Sequence, residues 1–276
     1  MTVGICGLGL IGGSMAKAYK EAGHTVLAYD LDKSTLGYAA LNGIIDGELN
    51  PSAVKSCELI FIALYPEATI KYLKDIAPII SKDTIVIDLC GTKLTVCECG
   101  FALAEQYGFT FVGGHPMAGK QFSGIKYSKA NLFKGAPMVI VPPRFDDIAF
   151  LNRIKDMLSP AGFGKLSVTT AEQHDKMIAF TSQLAHVVSN AYVKSPTAKN
   201  HKGFSAGSYK DMTRVAWLNE NMWTELFIEN KEPLLFELEQ IIASLTEYKT
   251  AIENDDADTL RALLRDGRVA KEEIDG

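Results

Sequence analysis

No apolar run in this 276-residue chain approaches the roughly 20 residues of a membrane-spanning helix. No positively charged segment precedes the apolar N-terminal stretch, so a secretory signal is not expected. Positive charge is not in excess either. The 28 Lys and Arg are outnumbered by 33 Asp and Glu, a net charge of −5. That argues against a nucleic acid or an anionic membrane held by general electrostatics. It leaves an anionic small molecule open, because local charge decides that case. Cysteine is sparse and odd in number, five in all, which reads as free thiols in a reducing cytoplasm. Cys90, Cys97 and Cys99 cluster, but no second Cys or His pair stands at zinc spacing, and no metal is expected. Repeats, low-complexity segments and long linkers are absent.

What is present is an alternation of short β runs and helical patterns. TVGIC (Thr2–Cys6) leads into Gly7-Leu8-Gly9-Leu10-Ile11-Gly12, and a helical pattern follows to about Ala22. HTVLAYD (His24–Asp30) then closes a βαβ unit, with Asp30 placed 18 positions after Gly12. A glycine motif alone is weak. Set between strand and helix, with an acid at that distance, it is a dinucleotide fingerprint. Gly7 makes the tight turn, Gly9 admits a pyrophosphate, and Gly12 lets helix and strand pack closely. The segment Gly7, Leu8, Gly9, Leu10, Ile11 and Gly12 is the candidate cofactor loop, with Leu64 as a further cofactor-side candidate. Asp30 would accept from ribose hydroxyls and oppose a 2′-phosphate, which favours NAD over NADP.

Further β runs follow at Glu58–Leu64, Thr84–Leu89, Phe109–Gly114, Ala136–Val141 and Gly164–Thr170. From Thr170, a capping residue with Gln173 three positions on, the pattern turns wholly helical. Long helices are expected over 171–196, 209–229 and 231–252, with a charged helical tail. The fold class is therefore α/β: a doubly wound, Rossmann-type domain over residues 1–168, then an all-helical domain over 169–276. The helical part is expected to bury its apolar faces in a homodimer.

Open parallel sheets bind ligands beyond the carboxyl ends of their strands. His115, in FVGGHPMAGKQFSG, stands at such an end, as do Thr92 and Lys93. Its imidazole can accept a proton from a substrate hydroxyl while hydride leaves the same carbon. The flanking glycines are expected to bring the backbone close to the cofactor.

The runs GLGLIGGS and GHPMAG, with KDMTRVA (Lys210–Ala216) and Met222-Trp223 downstream, resemble the prephenate dehydrogenase family, which includes the arogenate and cyclohexadienyl dehydrogenases. The resemblance spans essentially the whole chain. It is to the bare catalytic core, without a fused chorismate mutase or a regulatory ACT domain. It implies NAD-dependent oxidative decarboxylation of prephenate to 4-hydroxyphenylpyruvate, in tyrosine biosynthesis. It implies that His115 bonds the 4-hydroxyl, that Arg214 anchors a substrate carboxylate, and that His186 contacts the side chain. Lys210 and Asp211 would stand near the substrate, reaching the partner subunit's site, or else begin a solvated helix. Trp223 would lie near the site or in the core. Two positions depart from the family pattern. Gly91 stands where many relatives carry a serine that bonds the catalytic histidine, and Thr92 is expected to offer its hydroxyl instead. Gln121 stands where some relatives have glutamate, and is expected to touch the substrate.

Two other readings are open to a glycine loop followed by helices. A β-hydroxyacid dehydrogenase would need a catalytic lysine, for which Lys176 is the early candidate. An NAD-binding sensor would need no chemistry, and His115 with Arg214 argues against it.

Overall fold

The structure is a computed structural model and describes residues 1–120 and 122–275. Eight strands form one sheet: β1 (Thr2–Cys6), β2 (Thr25–Tyr29), β3 (Gly47–Glu48), β4 (Leu59–Ile62), β5 (Ile85–Asp88), β6 (Thr110–Pro116), β7 (Pro137–Val141) and β8 (Lys165–Val168). Their spatial order is β3-β2-β1-β4-β5-β6-β7-β8. Reversal of direction about β1 is the doubly wound arrangement, and it leaves a crevice between the ends of β1 and β4. Pairing is parallel except between β6 and β7. Parallel neighbours need a crossover, usually a helix. Among its described residues the β6–β7 connection carries only a single 3₁₀ turn, Ile125–Tyr127, and the chain returns antiparallel.

Helices α1 (Leu10–Glu21), α2 (Lys33–Leu41), α3 (Pro51–Val54), α4 (Pro66–Ile76), α5 (Leu94–Tyr107) and α6 (Ile148–Leu158) intervene between strands. The sheet is buried on both sides. Leu59 and Phe61 of β4 join one apolar cluster, while Ile60 and Ile62 join the other. That double burial is why the central strands read as unbroken apolar runs.

Past β8 come α7 (Ala171–Ile178), α8 (Ala185–Tyr192), α9 (Gly207–Thr213), α10 (Glu220–Glu229), α11 (Lys231–Glu253) and α12 (Ala257–Asp275). Thr170 caps α7 as expected, accepting from the Gln173 N–H at 3.2 Å. The helices expected over 171–196 and 209–229 are each interrupted. A π-helical stretch, Ala179–Leu184, separates α7 from α8. A 3₁₀ turn, Arg214–Ala216, separates α9 from α10, and the Asn219 side chain caps α10 through the N–H groups of Asn221 and Met222. The chain forms two compact units, Met1–Asn230 and Lys231–Gly276. In the second, α11 and α12 pair, with the Tyr248 hydroxyl donating to the Leu263 carbonyl at 3.1 Å. Phe236, Ile242, Leu245 and Ile252 of α11 stay exposed. Among the described residues no helix is long and apolar enough to cross a membrane.

The cofactor-loop glycines separate two physical roles. Gly7 holds φ +87°, where side chains are strained. A Cβ on Gly12 would lie 1.8 Å from the Gly7 carbonyl oxygen, whereas a Cβ on Gly9 would meet nothing within 4 Å. Gly12→Ala is therefore expected to destabilise the fold by roughly 1–3 kcal/mol or more. Gly9→Ala should stay within about 0.5 kcal/mol of wild type yet weaken dinucleotide binding at least about tenfold, about 1.4 kcal/mol. Thermal unfolding and a binding titration of both variants check the pair; a stable Gly12→Ala protein would contradict it.

Candidate active site

The β1–α1 turn places the start of α1 at the carboxyl edge of the sheet. No side chain caps this helix, whose N-cap is Gly9, so first-turn N–H groups are free for an anion. Asp30, just past β2, accepts from the Leu8 N–H at 2.7 Å and the Asp32 N–H at 2.9 Å. Its carboxylate thus ties the loop to the second strand, and each oxygen keeps a lone pair for a ribose hydroxyl. Leu64 lies against Gly7 from the end of β4. An uncapped helix start, open space over Gly9 and an acid beyond β2 together fit a dinucleotide.

His115, half-buried, stands near the end of β6. The two glycines before it are required by packing, a role that the sequence does not suggest. Both are buried, and a Cβ on Gly114 would lie 2.6 Å from the Asp88 carbonyl oxygen, while one on Gly113 would lie 2.4 Å from Cys97 Sγ. Asp88, fully buried at the end of β5, accepts from the Gly114 N–H at 3.1 Å and the Cys90 N–H at 2.9 Å, and pairs with the Lys93 ammonium. Burial alone would lower the Lys93 pKa, but the charge and hydrogen bond of Asp88, with smaller contributions from Cys90 and Cys97, together raise it.

Nδ1 of His115 lies 2.9 Å from Nε2 of His174, and Nδ1 of His174 lies 2.6 Å from Oδ1 of Asp175. Asp175 in turn accepts from the backbone N–H groups of Lys93 and Leu94, both at 2.8 Å. It therefore caps α5 from α7. Asn230 donates to the Asp175 carbonyl at 2.8 Å and to Gln183 Oε1 at 2.7 Å, and Gln183 donates to the Leu226 carbonyl at 3.0 Å. Burial, then the neighbouring His174 and Lys93 charges, hold His115 well below the ordinary histidine range. Burial also lowers His174, against the opposing pull of Asp175.

Thr92 does not bond His115. Its hydroxyl donates to Glu229 Oε2 at 2.7 Å, because α10 sets Leu226 against Gly91 and Glu229 over the loop. Burial raises the Glu229 carboxyl above its usual range.

A second group gathers around α8. His186 Nδ1 donates to the Ser182 carbonyl at 2.9 Å, and its ring lies on that of Trp223, centroids 3.9 Å apart. Both line a cleft of about 330 Å³ together with Lys194, Glu220 and Phe227. Burial first, and then the nearby Arg214 charge, lower the His186 pKa. Arg214 and Lys210 are exposed, with no ion pair among the described residues. No hydrogen bond joins either one to His115. Gln121 lies outside the described residues.

The residues that sequence reasoning missed are His174, Asp175 and Glu229. The available signal was the adjacent His-Asp pair one turn after the Thr170 cap, on the apolar face that also carries Ile178.

The family described as prephenate dehydrogenase, nucleotide-binding domain, matches residues 15–165, and the prephenate dehydrogenase dimerization domain matches 170–266. The chain is 30% identical over 288 residues to the prephenate dehydrogenase of Bacillus subtilis, covering 100% of this chain and 76% of that one. It is similar to the prephenate dehydrogenase of A. aeolicus solved with hydroxyphenyl propionate and NAD+ (TM-score 0.84, 28% identity, 100% and 98% of the chains). It is comparably similar to Synechocystis arogenate dehydrogenase (TM-score 0.81, 27% identity, 99% of each).

Three histidines of the site, 115, 174 and 186, are held below the ordinary range. Unfolded, each titrates near 6.5. As the pH falls past about 6.5 the unfolded chain takes up protons that the native chain does not, so their contribution to stability is present above that pH and lost below it. The melting temperature is expected to be lower at about pH 5.5 than at about pH 7.5, with a smaller difference in His115→Gln. An equal pH dependence in the two proteins would contradict this account of His115.

Proposed function

We propose that this chain, which belongs to the prephenate dehydrogenase family, catalyses the NAD-dependent oxidative decarboxylation of prephenate to 4-hydroxyphenylpyruvate and CO2. The cofactor is NAD, carried by the family's nucleotide-binding domain; when bound it accepts the hydride from ring carbon 4. The Gly7–Gly12 loop and Asp30 hold it, with Leu64 beside the turn. His115, kept neutral at the carboxyl edge of the sheet, takes the proton of the 4-hydroxyl as the carbonyl develops. The ring carboxylate leaves as CO2, its bonding electrons completing the aromatic ring, and His115 returns the proton to the phenolate oxygen. Arg214 grips a substrate carboxylate through its planar fork. His186 meets the side chain, Lys210 borders it, and Thr92 ties its loop to α10 through Glu229.

The observation that carries this reading is the neutral, partly open imidazole of His115 at the carboxyl edge of the same sheet that carries the dinucleotide loop. The A. aeolicus relative holding both hydroxyphenyl propionate and NAD+ supports it, since a phenol is what aromatisation yields. Residues 1–168 are then the cofactor part and 169–276 the substrate and dimerisation part. The exposed apolar residues of α11 suit a homodimer. Five unpaired cysteines suit the cytoplasm.

Prephenate rather than arogenate is the proposed substrate. The two differ by a keto group against an ammonium. The loop from His115 to Tyr127 carries Lys120 and no acid to receive that ammonium. Reduction of NAD followed by NADH absorbance should show higher kcat/KM with prephenate than with arogenate, and with NAD than with NADP. Faster turnover of arogenate at matched low concentration would sink the choice. His115→Ala should lower kcat by roughly 10² to 10⁴. Arg214→Gln should act mainly on KM, on the order of 1.5–3 kcal/mol per charged hydrogen bond lost.

A further inference from the structure

We infer that His174 and Asp175 are positioning residues that hold His115 in the one tautomer whose Nε2 carries a lone pair toward the substrate space. The inference rests on the proposed function only in assigning that lone pair its task. The tautomer itself follows from the hydrogen bonds.

Asp175 fixes the first hydrogen. Its carboxylate accepts from the N–H groups of Lys93 and Leu94, and an ionised carboxylate has nothing to donate. The nitrogen 2.6 Å from its Oδ1, Nδ1 of His174, must therefore carry a hydrogen. A neutral His174 then has its lone pair on Nε2. That nitrogen faces Nδ1 of His115 at 2.9 Å, so the hydrogen between the two rings belongs to His115. A neutral His115 with its hydrogen on Nδ1 leaves Nε2 bare. No hydrogen bond to a described residue engages that atom, and His115 as a residue is only half-buried.

The alternative is a doubly protonated His174, which would donate to His115 and push the remaining hydrogen to Nε2. The surroundings oppose it. His174 is 2% exposed, and the Lys93 ammonium lies close by. The charged groups acting on the two rings are Asp175 from α7 itself and Lys93 and Asp88 from the β5–α5 side, while Glu229 from α10 acts on Asp175 and Lys93. Asp88 is spent on Lys93, and Glu229 on Thr92. Asp175 therefore remains the anion for His174, and its hydrogen bond to a neutral donor is already made.

This resolves how His115 is oriented without the serine that relatives carry at position 91. Gly91 has no hydroxyl, and Thr92 turns its own to Glu229. Orientation comes from the other side of the ring. When His115 takes up a proton, its Nδ1–H stays bonded to His174, so neither ring has to turn.

The test joins spectroscopy to kinetics. Five histidines make a tractable ¹⁵N spectrum, assigned with single His variants. Long-range ¹H–¹⁵N correlation near pH 7.5 should show His115 and His174 both protonated on Nδ1. His174→Phe fills the space but can neither accept from His115 nor donate to Asp175. It should populate the Nε2-protonated form of His115 and lower kcat roughly 10- to 10³-fold, within the range of general-base and wrong-tautomer losses, with KM changed less than about 3-fold. His174→Gln can accept through Oε1 and donate through Nε2, and should restore the tautomer and at least about tenfold of the lost kcat. A wild-type His115 protonated on Nε2 would overturn the inference, as would a folded His174→Phe enzyme with kcat within about 3-fold of wild type. Should His174→Phe fail to fold, the wild-type spectrum decides alone. An Nδ1 tautomer in an enzyme that does not oxidise prephenate would sink the proposed function and leave this inference standing.

Discussion

The carboxylate of Asp175 is the interaction on which the site depends. It sits near the middle of α7, yet it caps α5 through the N–H groups of Lys93 and Leu94. It joins the first helix past the sheet to the helix that follows β5, and the same oxygen that accepts from Lys93 orients His174. Hydrogen bonds to an ionised acceptor contribute about 1.5–3 kcal/mol each. The greater effect is what their loss would leave: two unsatisfied N–H groups, one of them buried, and an imidazole with no fixed hydrogen. Asn230 and Gln183 extend the brace, linking the Asp175 backbone to the π-helical stretch and to the Leu226 carbonyl. A π-bulge at this point fits the tendency of such stretches to mark functional sites.

Lys93 couples this brace to a second one. Its backbone donates to Asp175 while its buried ammonium pairs with Asp88. Asp88 also receives the Gly114 N–H, one residue before His115. The ring of His115 is thus fixed by the backbone under it and by the neighbour beside it, and both supports pass through one residue. A buried charge pair gives little net stability. What it contributes here is a single geometry at the carboxyl edge of the sheet, where a preorganised base has most effect.

Much of this was legible in the sequence, and the limits have physical reasons. The glycine loop, the strands β1, β2 and β4 to β8, and the placing of His115 at a strand end all follow from local pattern, because the strands buried on both faces have to be apolar throughout. The two-residue β3 has too few side chains to make a pattern. The breaks within 171–196 and 209–229 escaped because apolar periodicity persists through a π turn and a 3₁₀ turn, although Asn219 was a visible cap. The glycines before His115 pointed toward a ligand, but their nearest neighbours are β5 and Cys97, which only the folded chain brings close. The partner of Thr92 is 137 residues away and the partner of His115 is 59 away. Sequence spacing carries no signal for contacts of that range, so the histidine was readable and its support was not.

The proposed chemistry turns on one contact: Nε2 of His115 with the oxygen that becomes the phenol of the product. A crystal structure of the enzyme with NAD and 4-hydroxyphenylpyruvate measures it directly. The account predicts that oxygen within hydrogen-bond reach of Nε2, roughly 2.6–3.2 Å, with Nδ1 still on His174. A phenol oxygen held by another group, with Nε2 of His115 well beyond that distance and no water between, would contradict it.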